Sequence, residues 1–180
     1  MNLFEPTMKK IAPLLFLFLL LPPLIINAQT DNSTSFEGLT WYTDIMKANE
    51  VSKASNKPLF AFFTGSDWCG WCKKLQREVF SKPGFIKWAK ENVVLVELDF
   101  PRSKALSPEI AQQNESLKQT FQVRGFPTIW VFFLNKNSGE DKYTIDSLGS
   151  LGYPQGATPG KEEVKFLLDA NTLLKNRSTK

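Results

Sequence analysis

The 180-residue sequence predicts an α/β sandwich, a mixed central sheet flanked by helices. Three observations predict it. Short apolar runs rich in Phe, Val and Leu alternate with amphipathic stretches, helix-start signals recur between the runs, and the last two runs are separated by turn chemistry. In chain order, residues 29–39 are small and polar and are expected as a flexible lead-in, with the folded domain over 40–180. Thr43 is expected to cap a helix reaching about Ser55, with Ile45, Ala48 and Val51 near one face, and Asn56-Lys57-Pro58 stops it. Leu59 to Thr64 reads as a buried strand by its length and composition. Gly65-Ser66-Asp67 is a turn, with Asp67 expected to cap it ahead of the helix. Cys72, Leu75 and Val79 then recur at helical spacing, so a helix opens close to Cys69.

A further helical piece follows Pro83-Gly84, with Phe85, Trp88 and Ala89 apolar. Val93 to Leu98 reads as a second buried strand and Phe100 to Ser107 as a loop. Ser107-Pro108 supplies an N-cap and first helical residue for a helix to about Phe121. Thr128 to Leu134 and Lys142 to Leu148 are strands joined by Asn- and Gly-containing turn residues, hence an antiparallel pair. Gly149 to Gly160 reads as a surface loop. Thr158-Pro159 repeats the cap signal before a closing helix patterned by Val164, Leu167 and Leu168.

Composition excludes several chemistries. The chain has no histidine, so His-based hydrolase dyads, imidazole zinc sites and His-ligated haem are ruled out. Its formal charge of +4 is dispersed, with no basic stripe of the kind nucleic acids require. Lys9-Lys10 precedes an uncharged run from Ile11 to Ile26, followed by Asn27-Ala28-Gln29. A basic start, a short apolar stretch and a small-residue end describe a signal peptide over residues 1–28. The run is broken by Pro13, Pro22 and Pro23 and falls short of the roughly 20 apolar residues a membrane span needs. The expected location is periplasmic or otherwise extracytoplasmic, with membrane contact only through that segment if it is uncleaved.

The only two cysteines form Cys69-Gly70-Trp71-Cys72. Random placement would set two cysteines three apart in about 1% of cases, so chance is a poor explanation. At this spacing, on the first turn of a helix, the sulfurs close a small disulfide ring or stand open as a dithiol. Unpaired N–H groups and the helix dipole favour a thiolate on the first sulfur. In the redox reading Cys69 attacks another protein's disulfide from a solvent-accessible position, and buried Cys72 resolves the mixed disulfide. Two alternatives stay open. One is a structural disulfide, although so short a ring stabilises weakly. The other is a metal site, which would need carboxylates or a second chain; no metal and no cofactor is expected.

Trp68-Cys69-Gly70-Trp71-Cys72-Lys73, preceded by an aromatic strand and followed by Gly125-Phe126-Pro127-Thr128, resembles the thioredoxin superfamily. The stretch from Phe63 to Leu75 is similar to exported bacterial thioredoxin-like proteins. The resemblance covers roughly Thr40 to Leu174. It implies a thioredoxin-like sandwich and a thiol–disulfide oxidoreductase with Cys69 and Cys72 as catalytic pair. It also implies a cis peptide before Pro127, with Phe126 pairing its backbone to an extended substrate segment. Trp68 and Trp71 would form an apolar rim for that segment; the plainer role for either ring is packing.

The sequence departs from the family at three places. The buried acid and Lys common in thioredoxins fall near Phe62 and Leu95, both apolar, which leaves the proton of Cys72 without an assigned acceptor. The dipeptide Gly70-Trp71 matches neither the Gly-Pro of reducing thioredoxins nor the Pro-His of strong oxidants. Without that His one source of thiolate stabilisation is missing, so a reductase or isomerase-like exchanger is favoured over a net oxidant. The expected partners are thiols or disulfides of exported proteins and a membrane electron-transfer partner. The competing reading is a thioredoxin-fold binding module with a permanently closed disulfide.

Overall fold

The computed structural model describes residues 33–137 and 142–175; residues 1–28, which carry the signal-peptide expectation, lie outside them. Six strands form one mixed sheet in the order β1-β2-β4-β3-β5-β6. Strands β1 (Ser33–Phe36) and β2 (Leu39–Tyr42) form an antiparallel hairpin, and β2 runs parallel to β4 (Val94–Asp99). Central β3 (Leu59–Thr64) is parallel to β4 and antiparallel to β5 (Thr128–Lys136), which pairs antiparallel with β6 (Tyr143–Leu151).

Residues 33–39, expected as part of a flexible lead-in, form the first strand and turn of the β1–β2 hairpin and the start of its second strand. Glu37 and Gly38 both take positive φ, the backbone that two-residue hairpin turns require. Leu39 and Trp41 are buried while Thr40 between them is exposed, so β2 alternates as a half-buried strand should.

All six residues of β3 are buried, and their alternation divides the core between the two sheet faces. Leu59, Ala61 and Phe63 join Val94, Val96 and Leu98 beneath α1 (Ile45–Ser55) and the end of α4 (Pro108–Thr120). Phe60, Phe62 and Leu95 face the other side. There they meet α2 (Gly70–Leu75), its π-helical continuation over Gln76–Phe80, α3 (Pro83–Asn92) and α5 (Glu162–Lys175). Phe80 is the hub of that side, with its ring 4.6 Å from Phe85 and 5.1 Å from Phe62. Both cysteines belong to this second cluster.

Local chemistry sets the helix ends. Asp44, rather than Thr43, caps α1 by accepting the N–H of Met46 at 2.8 Å, and Asn56 ends the helix in the left-handed region. Thr43 instead offers its carbonyl to Gln113, whose Oε1 accepts the N–H of Ile45. The buried face of α1 is Ile45, Ala48, Asn49 and Ser52, at strict helical spacing, which leaves Val51 outside it. Ser107 does cap α4, and Pro108 is its first residue. Thr158 holds a turn to Lys161, and α5 starts only at Glu162. Phe166 and Ala170 form its buried face, while Val164 and Leu168 are exposed. Among the described residues no helix is long and apolar enough to cross a membrane.

Candidate active site

Helix α2 begins where β3 ends, separated from it by the turn Gly65 to Trp68. The N–H groups of Trp68 and Cys69 both donate to the Gly65 carbonyl, and the Trp68 indole folds back over Gly65. A side chain at position 65 would collide with that indole, so glycine is what lets the ring lie there. Cys69 occupies the N-cap position and its Sγ accepts the Cys72 N–H at 3.1 Å. Cys69 and Cys72 are joined as a disulfide.

The two sulfur-bearing residues differ in exposure, but less than expected. Cys72 is wholly covered and Cys69 keeps 5% of its surface. The expectation of an openly accessible Cys69 is corrected accordingly: in the joined form its side chain turns inward onto Cys72 and the aromatic cluster. Of the two residues only Cys69 keeps any exposed surface. The two tryptophans carry the exposure instead, Trp68 at 39% and Trp71 at 51%.

The Phe126–Pro127 peptide is cis. The ring of Phe126 lies 5.8 Å from that of Trp68 and stacks on Phe100 at 5.1 Å. On the other flank Trp71 meets Tyr153 edge-on at 5.0 Å. Tyr153 comes from the loop after β6, and its hydroxyl donates to Glu78. The ammonium of Lys74 lies about equally far from both rings, 5.0 Å from Trp71 and 4.9 Å from Tyr153. The Tyr153 bond and the cations Lys74 and Arg77 hold the Glu78 carboxyl below its ordinary range, while burial and that same bond raise the Tyr153 phenol. Trp68 and Trp71 thus adjoin the cysteines in the chain, Phe126 packs against the Trp68 ring, and cis-Pro127 follows Phe126.

Asp67 does not cap α2. Its carboxylate accepts the N–H of Arg102 at 2.9 Å and both the N–H and hydroxyl of Ser103, fastening the loop after β4 to the cysteine turn. The Ser103 hydroxyl and N–H, then the Arg102 N–H, lower its pKa to about 2. Trp68 adds a second tie, its indole N–H donating to the Phe100 carbonyl at 2.8 Å.

Glu97 is the residue that the sequence reading missed. It pairs in register with Phe62 and lies two residues after Leu95, so it faces the sheet side that carries the cysteines. Burial, then the neighbouring Asp99 charge, raises its pKa, against a smaller opposing effect of Lys104. It lines a cavity of about 260 Å³, together with Trp41, Phe62, Ser66, Gln76 and Lys104 among others. Gln76 sits one helical turn beyond Cys72, its N–H donating to the Cys72 carbonyl. A Glu at an inward position of an otherwise apolar strand was the available signal. Among the described residues, no cluster of three or more carboxylates or cysteines is placed to hold a metal ion.

Comparison with known proteins agrees with this geometry. The chain is 37% identical over 103 residues to the disulfide bond reductase DsbH of Chlamydia pneumoniae, covering 57% of this chain and 61% of that protein. It is 29% identical over 166 residues to the thioredoxin-related protein DsbJ of the same organism, covering 92% of this chain and 44% of that one. The chain thus spans less than two thirds of the length of either relative. A solved DsbH oxidoreductase superposes with a TM-score of 0.61 at 29% identity, covering 76% of this chain and 85% of that one. The family model for the thioredoxin-like domain matches residues 45–140. With the mixed sheet, the helix-opening Cys69–Cys72 pair and that match together, the chain belongs to the thioredoxin-like family.

Proposed function

We propose that the chain is a thiol–disulfide oxidoreductase acting on exported proteins outside the cytoplasm, as a reductase or isomerase-like exchanger. The observation that carries this reading is the asymmetry of the pair: a disulfide at a helix start whose first residue, at the N-cap, keeps 5% of its surface and whose second is wholly covered. In the dithiol form the Cys69 thiolate attacks a substrate disulfide. A Cys69–substrate bond forms and one substrate thiolate leaves. Cys72 gives up its proton and attacks Cys69 Sγ, which re-forms the Cys69–Cys72 bond and releases the second substrate thiolate. Two electrons pass to the substrate, so each turnover needs an external dithiol or a membrane electron donor.

We assign the Cys72 proton to Glu97. It shares the sheet face of the cysteines, burial raises its pKa and so makes it a stronger proton acceptor than an ordinary carboxylate, and the adjoining cavity opens a route to water. The direction of flux rests on the absence of histidine and on the name of a relative, a disulfide bond reductase. Equilibrating the full chain with glutathione or dithiothreitol tests the direction and whether the pair cycles at all. A potential between about −180 and −280 mV is expected. A value near −120 mV would make it an oxidant, and one well below about −300 mV an inert bridge and a binding module.

A further inference from the structure

Each tryptophan beside the cysteine pair carries a cation. The Arg102 guanidinium lies 4.0 Å over the Trp68 ring, and Lys74 lies over Trp71. Lys73 adds a third, its ammonium donating to the Asp67 carbonyl at 2.8 Å. The carboxylates of the same rim are engaged internally. Asp67 is bound to the Arg102 and Ser103 backbone, and Glu78 to Tyr153, Lys74 and Arg77. Arg102 stands apart from Lys74, because its guanidinium makes no ion pair among the described residues. Stacked on an indole, a guanidinium keeps its in-plane N–H donors free for a carboxylate. Its backbone is held by Asp67 and its guanidinium by the Trp68 ring, which lowers the ordering cost of binding.

We propose that Arg102 is a specificity-determining residue, selecting disulfide-bearing segments with Asp or Glu beside the attacked cysteine. The proposal rests on the oxidoreductase reading. Trp68 directly precedes Cys69 and touches Phe126, so a segment whose cysteine reaches Cys69 along Phe126 carries its flanking side chain past Trp68 and Arg102. An exposed ion pair of this kind favours the acidic segment by about two- to fivefold at low salt.

The test uses the full chain, kept reduced, and extended peptides bearing one cysteine as a 2-thiopyridyl mixed disulfide, identical except for Glu, Gln or Lys beside it. Pyridinethione release gives kcat/KM. The Glu-to-Lys ratio is expected to be about two- to fivefold in the wild type, close to one in Arg102→Gln and inverted in Arg102→Glu. It should fall as salt is added. Lys53→Gln, a distant charge removal on α1, should leave the ratio at the wild-type value. A wild-type ratio of one, or an unchanged ratio in Arg102→Gln, would overturn the proposal. Turnover of the Gln peptide by each variant shows that the fold and the cysteines work. A wild-type chain that leaves the Gln peptide intact would overturn the oxidoreductase reading and the selectivity with it.

Discussion

Glu97 lies directly opposite Phe62 in the parallel β3–β4 pair, on the sheet face that carries Cys69 and Cys72. A carboxyl there is costly to ionise, because burial removes water from its charged form. Its folded-state pKa lies above its unfolded one, so the native state holds the proton longer. Stability contributed by this group is therefore lost as pH rises from the ordinary carboxylate range through the raised value. Glu97→Gln should flatten that part of the stability–pH curve and make the protein more stable at neutral pH. Denaturant midpoints between pH 4 and pH 8 check this. The same variant should slow release of the second substrate thiolate, most where Glu97 is ionised in the wild type.

Asp67 has the opposite sign. Its pKa is lowered to about 2 by the Ser103 and Arg102 donors, so its contribution is present above the ordinary carboxylate range and lost as pH falls towards 2. Asp67→Asn should be less stable than the wild type at neutral pH, with the gap closing on acidification. Amide exchange at Arg102 and Ser103 should speed up in that variant, since both N–H groups lose their ionised acceptor.

The aromatic hub predicts the largest stability loss. Phe80 meets Trp41, Phe60, Phe62, Phe85 and Phe166 and is fully buried. Phe80→Ala should cost about 3–5 kcal/mol by equilibrium denaturation, through lost contacts and a cavity that rigid neighbours cannot fill.

Trp71 separates substrate binding from chemistry. It is half exposed and touches Tyr153 and Lys74 rather than the core. Trp71→Ala should raise KM for a protein disulfide about two- to tenfold, with a smaller change in kcat and little change in stability. A large stability loss with KM unchanged would give the ring a packing role instead.

Much of this architecture was legible in residues whose periodicity and burial agree. Leu59 to Thr64 and Ser107-Pro108 stand where their chemistry put them, and the closing pair is antiparallel as expected, although β6 runs on through Gly149 to Leu151, which composition reads as loop. The first hairpin was not legible, because Glu37-Gly38 is a weaker turn signal than Asn-Gly and its strands are short. The buried face of α1 includes Asn49 and Ser52, which hydropathy reads as surface, although Ser52 satisfies itself on the Lys57 carbonyl. At the site, spacing alone marked Cys69 and Cys72, and the family resemblance pointed to the two tryptophans beside them. Glu97 and the Asp67–Ser103 tie depend on which strand lies beside which, information that no local pattern carries.

The most direct test of the account is covalent trapping of a peptide disulfide by the two single-cysteine variants, read by intact mass. The account predicts that Cys72→Ser accumulates a mixed disulfide through Cys69, whereas Cys69→Ser, left with the fully buried sulfur, forms none. Adduct on Cys69→Ser alone, or on neither variant, would contradict it.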